Sequence, residues 1–164
     1  MIEAAVQKVP KNKEKLIFIN EDFGNPSWIN SVARYGKFNI IVSGLAIHHQ
    51  TDKRKKEIYQ EIFNLLTSGG LFLNLEHVAS PSPWLHHLSE EFFIDSIYKH
   101  SRTSGRAETR KEIARRYYSN PLRKANTLAP VETQCSWLKK IGFKKVDCYL
   151  KIFEFALFGG VKSK

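Results

Sequence analysis

The sequence predicts an α/β fold with a mainly parallel sheet, and three features support this. Short apolar runs at 16–20, 38–44 and 69–77 alternate with helical patterns, an order typical of parallel strands joined by right-handed crossovers. The run FNIIVSG at 38–44 is almost continuously apolar, as in strands that are covered on both faces. Two final runs near 143–159 follow each other with hardly a break and predict an antiparallel pair.

Length and composition indicate one ordinary globular domain. A chain of 164 residues can bury a substantial core, so we expect a single unit over residues 1–164. It has no apolar run long enough to span a bilayer and no charged-then-apolar leader, so we expect a cytoplasmic protein without membrane contact. Cys135 and Cys148 lack the spacing of metal ligands, and we expect neither a disulfide framework nor a metal site.

The N-terminal elements begin with a predicted helix over residues 1–9, which has apolar residues on one face and stops at Pro10. The run Leu16–Asn20 predicts a strand, because its β-forming residues are followed by an acidic pair and several turn formers. The strand at 38–44 repeats this design.

The middle of the chain is predicted to form a strand, a helix and a strand. Residues 52–66 place apolar side chains at helical spacing, and Gly69-Gly70 is expected to close that helix. After the next strand, Ser82 is a candidate N-cap and Pro83 a first helical residue. The mostly helical region 79–129 is too long for a simple crossover and predicts an insert that caps the sheet.

The C-terminal part is predicted to contain a helix from about Val131 to Lys140, closed by Gly142. The antiparallel pair follows it. We expect the following residues to be buried: Ile17, Ile19, Ile40, Val42, Leu71, Leu73, Leu138, Phe143 and Phe155.

This order of elements resembles the class I S-adenosylmethionine-dependent methyltransferases. The resemblance covers nearly the whole chain, and its most specific parts are FNIIVSGLAIHHQTDKRKKEIYQEIFNLLTSGGLFLN and VETQCSWLKKIGFKKVDCYLKIFEFALFGGVK. The ending is also similar, more weakly, to the enzymes that modify the wobble uridine of tRNA or make their carboxylated cofactor. The resemblance implies a partial Rossmann-like methyltransferase fold and methyl transfer to a small molecule or a tRNA.

The resemblance also implies four residues that bind S-adenosylmethionine. Asp22 would accept a hydrogen bond from the adenine amino group, a charge-assisted contact, and Phe23 would lie beside the ring. Ser43 and Gly44 match the residues that, in the family, lie beside the methionine part of the cofactor. Judged from the residues alone, Asp22 could instead cap the turn before Gly24.

The pair His48 and His49 matches the cofactor and substrate edge of the family. A packing or orienting role for one of them is the leading interpretation, with a role as general base second. Adjacent histidines at a helix start leave at most one facing the pocket. We expect a substrate pocket that includes His49, Glu76 and Trp84. The insert is expected to add some of its aromatic residues: Phe92, Phe93, Tyr98, Tyr117 and Tyr118.

The family begins with a strand, a Gly-rich loop, a helix and a second strand, and none of the nine glycines here forms a G-x-G. We therefore expect an N-terminally truncated domain that binds S-adenosylmethionine weakly or not at all by itself. Without those two strands, LIFIN and NIIVS would lie about 14 Å apart, at about 4.8 Å per strand spacing. Such open edges favour a complementing chain or a second copy.

Two other functions stay open. The lack of a G-x-G loop would also fit a catalytically inactive methyltransferase-like module or a partner subunit. The net charge of +10 and the basic residues between Arg102 and Lys124 would fit a basic RNA-binding protein, although a solvated helix face is the plainer interpretation of that segment.

Overall fold

The computed structural model describes residues 16–163, apart from the side chains of Leu122 and Lys124. The chain divides into two compact units, residues 1–37 and 38–164. A single domain over 1–164 stays a prediction. The helix predicted over residues 1–9 lies outside the described residues.

The first unit contains one short described helix, α1 (Trp28–Ala33). The strand predicted at 16–20 is not formed, because a strand needs a neighbour for its backbone hydrogen bonds and no described residue pairs with this run. Ile17, predicted to be buried, is 58% exposed, and Ile19 is only half-buried.

The second unit is built on a four-stranded sheet of order β1-β2-β4-β3. Its strands are β1 (Phe38–Gly44), β2 (Leu66–His77), β3 (Phe143–Ile152) and β4 (Phe155–Lys162). β1 and β2 are parallel, whereas β2 with β4 and β3 with β4 are antiparallel. The α/β class and the antiparallel C-terminal pair are confirmed. Among the described residues, β1 and β2 form the one parallel pair, because the run at 16–20 adds no strand. The described sheet is therefore mixed and not mainly parallel.

Helices connect and cover these strands. They are α2 (Asp52–Leu65), α3 (Pro83–Thr103), α4 (Arg110–Ser119) and α5 (Val131–Ile141), with 3-10 turns at Ile47–His49 and Pro121–Ala125. The predicted cap of α3 is confirmed, since Ser82 Oγ accepts from the N–H of Leu85 at 3.2 Å and Pro83 follows it. Gly142 closes α5 with a φ of +118°, which is also confirmed. Among the described residues, no helix is both long and apolar enough to cross a bilayer.

The junction between α2 and β2 has no connecting residue, because α2 ends at Leu65 and β2 begins at Leu66. The prediction that Gly69-Gly70 closes the helix is therefore wrong. Gly69 has a φ of +79° inside β2, where the register against β1 shifts. A Cβ on Gly70 would lie 3.0 Å from the carbonyl oxygen of Thr67. The two glycines accommodate this irregular start of the strand.

The core lies between the inner face of the sheet and helices α2 and α5. Tyr59 of α2 packs against Phe72 of β2 with ring centroids 5.7 Å apart, and Phe63 packs edge-on to Phe143 at 4.9 Å. The predicted burial of Leu138 and Phe143 is confirmed.

Burial was predicted wrongly along β1 and β2. Ile40 and Val42 are 60% and 66% exposed, because β1 is an edge strand of the described sheet and this face is uncovered. In β2 the even-numbered residues face the core, so Leu71 and Leu73 are only half-buried, as strand alternation requires. Phe155 is half-buried as well.

Candidate functional site

A cavity of about 240 Å³ lies next to the residues that follow β1 and that end β2. Open α/β sheets bind ligands at the carboxyl ends of their parallel strands, so this is the expected place for a site. The sheet side supplies His48, His49, His77, Glu154 and Phe155. The insert supplies Ser89, Phe93, Tyr117, Asn120, Arg123 and Asn126.

One buried carboxylate holds the turn that follows β1. Glu76 is 1% exposed, and its Oε1 accepts from the backbone N–H groups of Ala46 at 3.3 Å and Ile47 at 2.7 Å. Its Oε2 lies 2.6 Å from Nδ1 of His48. An ionised carboxylate only accepts, so the proton of a neutral His48 ring sits on Nδ1 and Nε2 is left as the basic nitrogen.

His49 lines the same cavity, with its ring centroid 4.0 Å from that of His48. Partial burial, and then the neighbouring His48, lower the pKa of His49 below its ordinary value. This shift favours the neutral form of His49. Both histidines face the cavity, whereas the sequence predicted at most one, because the turn that carries them is a short 3-10 turn and not the start of a helix.

A second buried carboxylate joins the insert to the sheet. Glu154, in the turn between β3 and β4, is 2% exposed, and it lies 3.0 Å from Nε2 of His77 and 2.7 Å from Nδ1 of His86. Burial raises the pKa of Glu154, but the hydrogen bonds from the two histidines outweigh it and the net pKa is below the ordinary value. The sequence analysis did not predict Glu154 as a site residue. Its only signal in the sequence is that it is an acid within the apolar run at the end of the chain.

The insert provides an aromatic wall. The ring of Phe93 lies 5.4 Å from that of Tyr117 and 6.0 Å from that of Phe155. The guanidinium of Arg123 stacks 4.1 Å from the centroid of Tyr117 and pairs with the buried carboxylate of Glu90. The wall thus offers flat apolar surfaces and one cation that is paired with a carboxylate.

The other predicted site residues lie in different places. Ser43 and Gly44 end β1, opposite Asn74 and Leu75 of β2. Glu76 lies behind His48 and not in the cavity wall. Trp84 is 68% exposed and lies outside the wall.

Asp22 and Phe23 belong to the first unit. Asp22 Oδ1 accepts from the N–H of Gly24 at 2.8 Å, the turn-capping role that the residues alone allowed. Binding of adenine by this pair stays a prediction.

His48 is paired with Glu76, and His77 and His86 share Glu154. Within residues 16–163, no group of three or more His, Cys, Asp or Glu side chains is arranged to hold a metal ion.

No family model matches the chain, and no curated protein matches it. Solved structures do. An O-methyltransferase family protein from Burkholderia thailandensis superposes with a TM-score of 0.55 at 13% identity, over 90% of this chain and 36% of the other. Human N-acetylserotonin methyltransferase, solved with its cofactor, gives a TM-score of 0.58 at 12% identity, over 99% and 38%.

A third similar structure is SibL, an S-adenosylmethionine-dependent methyltransferase, with a TM-score of 0.51 at 13% identity, over 77% of this chain and 31% of the other. The chain shares the fold of these proteins. It spans between 31% and 38% of their lengths, and at this identity the likeness shows the fold alone.

Proposed function

We propose that the chain carries the acceptor-binding part of an S-adenosylmethionine-dependent methyltransferase, with the methyl acceptor in the cavity beside His48. The observation that carries the proposal is the His48–Glu76 pair, a buried carboxylate 2.6 Å from one ring nitrogen of a histidine that also lines a cavity. A histidine held in this way is a suitable general base. The fold shared with solved methyltransferases supports the reaction class.

Ser43 and Gly44 of the second unit are the residues proposed to hold the methionine part of the cofactor, and adenine binding by Asp22 and Phe23 of the first unit is a separate prediction. The local structure at Gly44 fits this role, because a Cβ placed there would meet nothing within 4 Å, so a ligand can approach the backbone closely. When bound, the cofactor would supply an electrophilic methyl group on a sulfonium. This chain contains no G-x-G loop, so we propose that these residues alone bind the cofactor weakly.

His48 would take the proton that an acceptor hydroxyl or amine loses as it attacks the methyl carbon. The proton would move to Nε2, and Glu76 would stabilise the resulting imidazolium through Nδ1. The neutral His49 would accept a second hydrogen bond from the acceptor. Phe93, Tyr117 and Phe155 would hold the acceptor in line, and such alignment supplies much of the rate in methyl transfer.

The size of the cavity favours a small acceptor over a tRNA. At about 240 Å³ it is below the range of about 300–1,000 Å³ that is common for ligand pockets. The RNA-binding alternative is weakened because, among the described residues, acidic side chains pair with three of the eight basic residues of this segment. The ion pairs are Arg110 with Asp95 and Glu91, Arg116 with Glu108, and Arg123 with Glu90.

The outer edge of β1 supports a further part of the proposal. No described residue pairs with this edge, and Ile40 and Val42 are exposed beside it. Unpaired edges of this kind associate with other strands. We propose that a complementing chain or a second copy covers it.

The test is the formation of S-adenosylhomocysteine by the 164-residue chain with a panel of phenols, catechols and aromatic amines. S-adenosylmethionine is supplied at the highest attainable concentration, because the chain alone should bind it weakly. We expect turnover with at least one acceptor, and a loss of about 10²–10⁴-fold in His48→Asn. The matched control is His87→Asn on the exposed side of α3, which should leave the rate unchanged. Full activity in His48→Asn would refute the role of His48. No turnover with any acceptor would favour the inactive module.

A further inference from the structure

Lys55 is a buried lysine that the proposed reaction does not use. It lies in α2 and its side chain is 1% exposed, whereas its neighbours Lys53 and Lys56 are exposed. Burial of an ammonium group is strongly unfavourable unless its hydrogen bonds are made inside the protein. A lysine in this position therefore needs hydrogen-bond acceptors within the protein.

Two partners are present. Lys55 Nζ donates to Oδ1 of Asp52 at 2.8 Å and to the backbone carbonyl oxygen of Thr127. The pair with Asp52 spans less than one helical turn and could form at the surface, since the carboxylate is 52% exposed. The contact that requires burial is the one with Thr127, which lies 72 residues away in the sequence.

Thr127 is joined directly to the candidate base. Its backbone N–H donates to the carbonyl oxygen of His48 at 2.9 Å, so one residue links the ammonium of Lys55 to the backbone of His48. The adjacent Asn126 hydrogen-bonds to His49, and its Nδ2 lies 3.5 Å from Nδ1 of His77. The pair Asn126–Thr127 thus contacts the three histidines of the cavity.

We propose that Lys55 is a positioning residue, which holds Asn126–Thr127 against the turn of His48 and so fixes the histidines that face the acceptor. Its catalytic meaning rests on the proposed function, but the contact itself does not. Lys55 touches no cavity atom and acts only through Thr127. This connection ties the end of the insert to the helix that follows the histidine turn.

The test compares Lys55→Met, which keeps the length of the side chain but removes the charge, with Lys55→Arg and with Lys53→Met as the matched control. In Lys55→Met we expect amide exchange of Thr127 to accelerate at least tenfold, with the amides in the middle of α2 unchanged. The imidazole NMR signals of His48, His49 and His77 should shift, while those of His87 and His100 stay. Lys55→Arg should keep part of the wild-type protection of the Thr127 amide and part of the wild-type imidazole signals.

Uniform acceleration across the chain, or unshifted imidazole signals in folded Lys55→Met, would overturn the proposal. If Lys55→Met does not fold, reductive methylation of the native wild-type chain decides. Protection of Lys55 while Lys53 and Lys56 react supports the proposal, and equal reaction overturns it. In an active enzyme, Lys55→Met should lower kcat with cofactor affinity unchanged. If Lys55→Met shows the NMR and exchange changes but the wild-type chain transfers no methyl group, the result counts against the proposed function and not against the positioning role.

Discussion

Replacement of Glu76 by glutamine should reverse the tautomer of His48. The amide oxygen can keep the two backbone donors of Ala46 and Ile47, which now meet one carboxylate oxygen at 3.3 and 2.7 Å. The amide NH₂ then faces Nδ1 of His48, which can only accept from it, so the ring proton moves to Nε2 and the base is lost. Exchanging charge-assisted hydrogen bonds for neutral ones should cost about 1–3 kcal/mol.

Two measurements check this. Urea unfolding should show a midpoint about 1 M lower in Glu76→Gln, since the slope for a small domain is about 1–3 kcal/mol per M. Imidazole ¹⁵N chemical shifts should show protonated Nδ1 in the wild-type chain and protonated Nε2 in the variant. The control is Glu57→Gln, whose side chain is 41% exposed. An unchanged His48 tautomer, or a midpoint equal to that of Glu57→Gln, would refute the reasoning.

Three further outcomes are expected. Calorimetry should find weak or no binding of S-adenosylmethionine, because losing two or three anchors of about 1–3 kcal/mol each costs several powers of ten in affinity; micromolar binding abolished by Asp22→Ala would contradict this. Gly159→Ala should abolish folding, since its Cβ would overlap the carbonyl oxygen of Phe72, while circular dichroism of Gly44→Ala should match the wild type. In Glu154→Gln the thermal unfolding midpoint should fall less steeply with decreasing pH than in the wild type. The lowered pKa of Glu154 contributes stability above the ordinary pKa of 4.5, and this stability is lost as pH falls through the folded-state pKa. An equally steep fall of the midpoint in the variant would argue against it.

The periodic elements could be predicted because their signals are local. In α2, Ile58 and Ile62 recur at helical spacing and are both buried, and Ser82 and Gly142 mark helix ends by their own backbone preferences. The run at 16–20 carries the composition of a strand, but a strand also needs a partner for its hydrogen bonds, and composition does not supply one.

The site was harder to predict because its decisive contacts are distant in sequence. The position of His48 after β1 follows from local order. The burial of Glu76 depends on donors that lie 28 to 30 residues away, and that of Glu154 on His77, 77 residues away. An acid in an apolar strand is ambiguous until those partners are known, since burial of a lone carboxylate would be prohibitive.

The direct passage from α2 into β2 limits where the chain can change length. Because side chains alternate along a strand, one residue inserted after Leu71 would turn the buried Asn74 and Glu76 outward and bring Leu75 into the core. An insertion near Ser68, where the residue is exposed and the register is already irregular, would leave that alternation intact. Homologous chains that differ in length between α2 and β2 should therefore carry the difference before Gly70, and a carboxylate at the position of Glu76 would then keep its inward direction.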